Sequence, residues 1–144
     1  MKRGVGTWAL TIVLLATGAQ AAAPKPISID RSGSSLIDAA TSEKLWKANT
    51  PARVAKLYPS RKFRFVSDIT GGFNASKNCV VSARAMLLPV VYLPIQGTKV
   101  IYEPIKSASA FDSAPSLSDE QCQALARTKL TESIQSLMST LAAS

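Results

Sequence analysis

The chain has no histidine at all among its 144 residues. That removes the commonest general base, the Ser-His-Asp and Cys-His nucleophile arrangements, and every His-ligated metal site. Acidic residues are scarce, nine against seventeen basic ones, and they are scattered. Asp30, Asp38, Asp68, Glu103 and Asp112 belong to different segments, and Asp119-Glu120 is accounted for by helix capping. A glycosidase-like carboxylate pair, for instance Asp68 with Glu103, is therefore not predicted by any spacing, and a Ser-Lys dyad has no motif to single it out. Gly71-Gly72 is isolated, so no glycine-rich phosphate loop is present and the pair reads as a turn or bulge between strands. No metal site and no cofactor is expected, and the chain is read as non-enzymatic.

Cysteine is nearly absent too: only Cys79 and Cys122, 43 positions apart and without CxxC spacing. Their meaning depends on the compartment. Met1-Lys2-Arg3 is a short positive start, "VGTWALTIVLLATG" is apolar and uncharged, and "AQA" ends at Ala21 with small residues where a signal peptidase reads. This is the layout of a secretory signal peptide, and the apolar run falls short of the roughly 20 residues of a membrane span. Cleavage is expected after Ala21, so residues 1–21 are the signal peptide and the protein is periplasmic or secreted. In an exported chain an even pair of cysteines reads as a disulfide.

Residues 22–34, "AAPKPISIDRSGS", are rich in Pro, Gly and small polar residues and read as an extended lead-in. Residues 35–144 then form a single domain. Leu36, Ile37, Ala40, Leu45 and Trp46 predict one broken helix or two short ones over 35–47, with a fresh start near Thr41 or Ser42. Thr50 is read as a cap and Pro51 as the first position of a short helix carrying Val54, Leu57 and Tyr58.

From Arg61 the period changes to two. Phe63 and Phe65 alternate with Lys62 and Arg64, which predicts a half-buried strand ending near Gly71. A second strand is expected over 78–86. "LLPVVYLPI" and "KVIYEPI" should pair as a hairpin about Gln96-Gly97, with Pro89, Pro94 and Pro104 confining a strand to an edge or a bulge. Residues 107–117, "SASAFDSAPSL", read as a loop. "NAS" at Asn74 matches a glycosylation sequon and reads as a polar turn.

The last helix has the clearest signal. Ser118 caps it, Gln121 completes a capping box, and Asp119 and Glu120 suit its positive end. Cys122, Ala126, Leu130, Ile134, Leu137, Met138 and Leu141 form one apolar stripe. The fold expected is α+β: one or two short N-terminal helices, a mostly antiparallel sheet of three or four strands, and a long C-terminal helix packed on one face.

Two surfaces carry the functional expectation. Arg53, Lys56, Lys62 and Arg64 form a basic face suited to an anion. The alternation sends the neighbouring aromatics inward, so no base-stacking platform is expected and nucleic acid is not the partner. Val91, Tyr92, Ile95 and Tyr102 on the 87–105 hairpin form an apolar contact surface for a protein, including a second copy of the chain. The function expected is a small exported binding protein whose partner is a protein or an anionic envelope component, with peripheral membrane contact among its modes. A periplasmic inhibitor or immunity-type protein is the alternative within that class, and a small hydrolase is the rival outside it.

Overall fold

The computed structural model describes residues 28–33, 35–94, 97–100 and 103–144. Their order is β1 (Ser28–Asp30), α1 (Ala39–Asn49), α2 (Ala52–Leu57), β2 (Phe63–Phe73), β3 (Asn78–Leu93), β4 (Gly97–Val100), β5 (Lys106–Pro115) and α3 (Asp119–Ala142). This is the expected α+β architecture. Residues 1–21, most of the 22–34 lead-in, Ile95 and Tyr102 lie outside the described residues. The end of the lead-in is not loop: residues 28–30 are a strand parallel to β2, with Ile29 opposite Val66.

The sheet is built around β3, sixteen residues long. β2 runs antiparallel along one side of it from Phe63↔Pro89 to Phe73↔Cys79. β5 and β4 share the other side, β5 over Asn78–Leu87 and β4 over Val90–Leu93. The expected break between a strand over 78–86 and one over 87–95 does not occur. Pro89 is accommodated because the partner strand changes there: pairing with β5 ends at Leu87↔Lys106 and pairing with β4 begins at Val90↔Val100. Ile105 N–H still donates to the Leu87 carbonyl at 2.9 Å. The two arms do pair as a hairpin, but the turn comes earlier than the expected Gln96-Gly97: Gly97 is already in β4, opposite Leu93.

The segment read as a loop over 107–117 is largely strand β5. Its period is two: Ala108, Ala110, Asp112 and Ala114 are half-buried, and the residues between them are exposed. Alanine and serine carry little hydropathy contrast, so the alternation is weak in the sequence. Small residues suit this strand because α3 lies across both β3 and β5.

Helix α3 is as read from its sequence. Ser118 Oγ accepts from Gln121 N–H at 3.3 Å and Gln121 Oε1 accepts from Ser118 N–H at 2.8 Å, the reciprocal capping box. All seven stripe residues are buried, and they meet Val81, Ala83, Ala85 and Leu87 of β3 with Phe65 and Ile69 of β2 in one core. Trp46 of α1 closes it, its ring 5.3 Å from that of Phe65. On the other face of the sheet Val66, Met86 and Leu88 form a smaller buried cluster with Ile29.

The two N-terminal helices start differently from the reading. Asp38, not Thr41 or Ser42, caps α1: its Oδ1 accepts from Thr41 N–H at 2.7 Å and its Oδ2 from Thr41 Oγ1 at 2.9 Å. Thr50 does not cap α2. Its hydroxyl donates back to the Trp46 carbonyl at 2.7 Å and closes α1, so Pro51 stands at the cap position of α2 rather than inside it. A threonine side chain offered both an acceptor-starved helix start and a donor-starved helix end bonded the end.

β2 also runs further than read, through Gly71 and Gly72 to Phe73. Both glycines have positive φ, +129° and +138°, a region open to glycine. At Gly71 an added Cβ would also lie 2.0 Å from the Val80 carbonyl oxygen. The turn that follows is the polar one expected of "NAS": Asn74 Oδ1 accepts from the N–H groups of Ser76 and Asn78, both at 3.0 Å, and Lys77 takes the left-handed position at φ 57°.

Candidate functional site

Cys79 and Cys122 are bonded, with Cα atoms 5.7 Å apart, and both are fully buried. Cys79 is the first inward residue of β3 and Cys122 lies in the first turn of α3. The bond therefore fixes where the long helix begins relative to the central strand. Beside it is a cavity of about 300 Å³ lined by Ser35, Leu36, Gly71, Gly72, Phe73, Asp119, Cys122 and Gln123. It offers one carboxylate, one amide and one hydroxyl, with no basic side chain.

The basic residues lie at the opposite end of the sheet. Tyr58, just after α2, packs edge-on against Phe63 with ring centres 5.3 Å apart. The chain reverses between them: Lys62 and Phe63 N–H groups both donate to the Pro59 carbonyl, at 2.9 and 3.1 Å. Arg61 and Lys62 project from this reversal, and both are exposed. Arg53 and Lys56 are exposed on α2, flanking Val54, which is fully buried in the main core. Arg64 is half-buried, and its Nη1 donates to the Phe63 carbonyl at 3.0 Å.

These side chains ring one end of the domain and do not share one face. Phe65 is buried on the helix side of the sheet, while Val66 belongs to the cluster on the far side. Pleating therefore turns Arg64 away from the layer that carries Arg53 and Lys56. Lys106, exposed at the start of β5 opposite Leu87, adds a further cation at this end, since Leu87 and Leu88 stand beside Phe65 and Arg64 in β2. Sequence reading does not find Lys106, because it falls between the expected hairpin arm ending at Ile105 and the expected loop starting at Ser107.

Glu103, three residues before Lys106, is the acid of this end, and others lie away from it. Asp119 and Glu120 are in the first turn of α3, at the disulfide end. Asp112 stands opposite Val81 and is held by Lys129 Nζ at 3.2 Å. That hydrogen bond, with one from Ser113 N–H, keeps the Asp112 carboxyl below the ordinary carboxylate range. The same lysine reaches Glu132 at 2.9 Å, and the two carboxylates raise its pKa. Neither of these ion pairs involves Arg53, Lys56, Arg61, Lys62, Arg64 or Lys106. Asp68 faces Arg84 across β2 and β3. Glu103 lies between β4 and β5, both on the other side of β3 from β2, so β3 stands between the two acids that could have formed a carboxylate pair.

Of the hairpin residues, Val91 is exposed at 39% on the part of β3 that pairs only with β4. Tyr92 stands in the same segment, opposite Thr98.

No protein-family model matches the chain, and no curated protein matches it. Among solved structures it is similar to a chain of the PelC dodecamer from Paraburkholderia phytofirmans, at 13% identity and a TM-score of 0.45, over 79% of this chain and 87% of that one.

Proposed function

We propose that the chain is an exported binding protein, working in the periplasm, that holds an anionic component of the cell envelope at its basic end and catalyses no reaction. The observation that carries this reading is the gathering of Arg53, Lys56, Arg61, Lys62, Arg64 and Lys106 at one end of the sheet, outside the ion pairs that Lys129 makes with Asp112 and Glu132. Between Lys44 and Ser67 the sequence has no acid to neutralise them. Unpaired cations at one end create a field that attracts and orients an anionic surface. The buried disulfide suits an oxidising compartment, as does the signal-peptide layout of residues 1–21.

The test is co-sedimentation of the mature protein with vesicles of phosphatidylglycerol and of phosphatidylcholine. Retention on the anionic vesicles alone, weakening as salt shortens the screening length from about 8 Å to about 3 Å between 0.15 and 1 M, is the expected result. Substituting Lys62→Glu with Arg53→Glu should abolish it. Equal retention on both lipids, or retention indifferent to salt and to these substitutions, overturns the reading.

A further inference from the structure

Among the described residues, strand β5 is a sheet edge: it pairs with β3 alone, over its whole length of ten residues. Natural sheet edges are usually blunted by a charge, a proline or a bulge, because an open edge recruits another strand. In β5 the charges Lys106 and Asp112 and the proline Pro115 lie at or beyond the ends of a five-residue stretch, Ser107, Ala108, Ser109, Ala110 and Phe111, that has neither a charge nor a proline, and its register with β3 is unbroken. In this small-residue run stands Phe111, 66% exposed, the most exposed large apolar side chain among the described residues.

The run is also complementary to its own reverse. Laid antiparallel to a second copy about a two-fold axis at Ser109, Lys106 stands opposite Asp112 at each end. Ser107 then stands opposite Phe111, and Ala108 opposite Ala110. Parity is kept, so the half-buried residues Ala108, Ala110 and Asp112 stay on the helix side in both copies and Phe111 stays on the other. Opposed residues in an antiparallel pair bring their Cβ atoms to roughly 4.5–5.5 Å, within reach of a Lys–Asp pair and of an aromatic ring lying over a serine. Asp112 retains 43% side-chain exposure beside Lys129, so a second cation has access to it. Sliding the copies by two residues in either direction separates Lys106 from Asp112.

We propose that β5 is a self-association edge, through which two copies join their sheets antiparallel about Ser109 with reciprocal Lys106–Asp112 pairs. The contact is isologous, so it closes at two copies. It shares Lys106 with the basic end, whose other five cations lie outside β5.

The experiment is sedimentation equilibrium of the mature protein with site-specific cross-linking. The wild-type chain should show a concentration-dependent dimer. Lys106→Asp should weaken it about tenfold, since two attractive pairs become two repulsive ones, and adding Asp112→Lys to the same chain should restore it. Both native cysteines are bonded to each other, so an added thiol reports only on itself. Ser109→Cys should yield a covalent dimer on mild oxidation, because Ser109 meets its own copy, and Ser113→Cys should not. A monomer at all concentrations, no rescue by the charge swap, or cross-linking of the Ser113→Cys variant as efficient as that of Ser109→Cys would each overturn the proposal. Circular dichroism of each variant establishes that the fold is intact before the comparison is made.

Discussion

Ser42 Oγ lies 2.7 Å from Ser67 Oγ, and both residues are buried. This polar contact ties α1 to the sheet beside the packing of Trp46 on Phe65. The two hydroxyls satisfy each other, and each has been removed from water to do so. Ser67→Ala alone should therefore destabilise the fold by about 1–3 kcal/mol, because it leaves the Ser42 hydroxyl buried without that partner. The double change Ser42→Ala/Ser67→Ala should cost less than the sum of the two single ones. Urea denaturation of the four proteins of the cycle measures the coupling, and strict additivity would show that the contact contributes nothing.

The disulfide closes a loop of 43 residues. In the chain-entropy treatment such a cross-link stabilises by about 4 kcal/mol, a large part of the roughly 5–15 kcal/mol typical of a domain. Cys79→Ala/Cys122→Ala should lower the urea midpoint accordingly. Because both sulfurs are fully buried, dithiothreitol should reduce the native protein far more slowly than the urea-unfolded chain, as followed by thiol labelling. Equal rates would mean that the helix start opens readily.

Adjacent glycines should respond unequally. Gly72→Ala meets no atom within 4 Å and bears only the cost of φ +138°, about 1–3 kcal/mol. Gly71→Ala bears a similar backbone cost and also drives a methyl to 2.0 Å from the Val80 carbonyl oxygen, so β2 must part from β3. Thermal melts should place Gly71→Ala well below Gly72→Ala, which in turn lies below wild type.

Acid should weaken the fold through two carboxyls. Thr41 N–H and hydroxyl hold Asp38 below its ordinary pKa, and Lys129 does the same for Asp112. A carboxyl depressed in the folded state contributes stability above its unfolded pKa and loses it as pH falls through the folded value. Asp38→Asn and Asp112→Asn should each flatten the acid side of the stability profile while changing its neutral-to-alkaline slope little. Lys129 has the opposite sign: its pKa is raised, so its contribution persists up to the ordinary lysine value and is lost at higher pH. Denaturant midpoints across pH for these two variants and for Lys129→Met separate the effects.

The parts of this fold that could be read from sequence are those where one signal dominates. The capping box at Ser118 and the seven-residue stripe behind it define α3, and the phase of that stripe places Cys122 inward, which made its bond to Cys79 readable. Phe63 and Phe65 give β2 its period. Reading failed where composition and conformation part company. β5 is built of Ala and Ser because a helix presses on it, and such a strand has the composition of a loop. Thr50 bonds backward to Trp46 rather than forward into α2, a choice between two local partners that a cap-plus-proline motif does not reveal. The basic residues were legible one by one. That they surround an end of the sheet, with Lys106 among them, depends on a change of partner strand at Pro89 that leaves no mark on residue types.

That change divides the labour of β3. Up to Leu87 the strand has a neighbour on each side, and beyond Val90, whose N–H still donates to the Lys62 carbonyl at 2.7 Å, it has β4 alone. The strand is thus continuous in space but belongs to two cooperative units. Its first part opens only with the core, while the β3–β4 tip can fray and reclose without disturbing α3. Amide protons of 79–87 should then exchange at the rate of global unfolding and those of 91–93 orders of magnitude sooner, so that one uninterrupted strand carries a boundary in time.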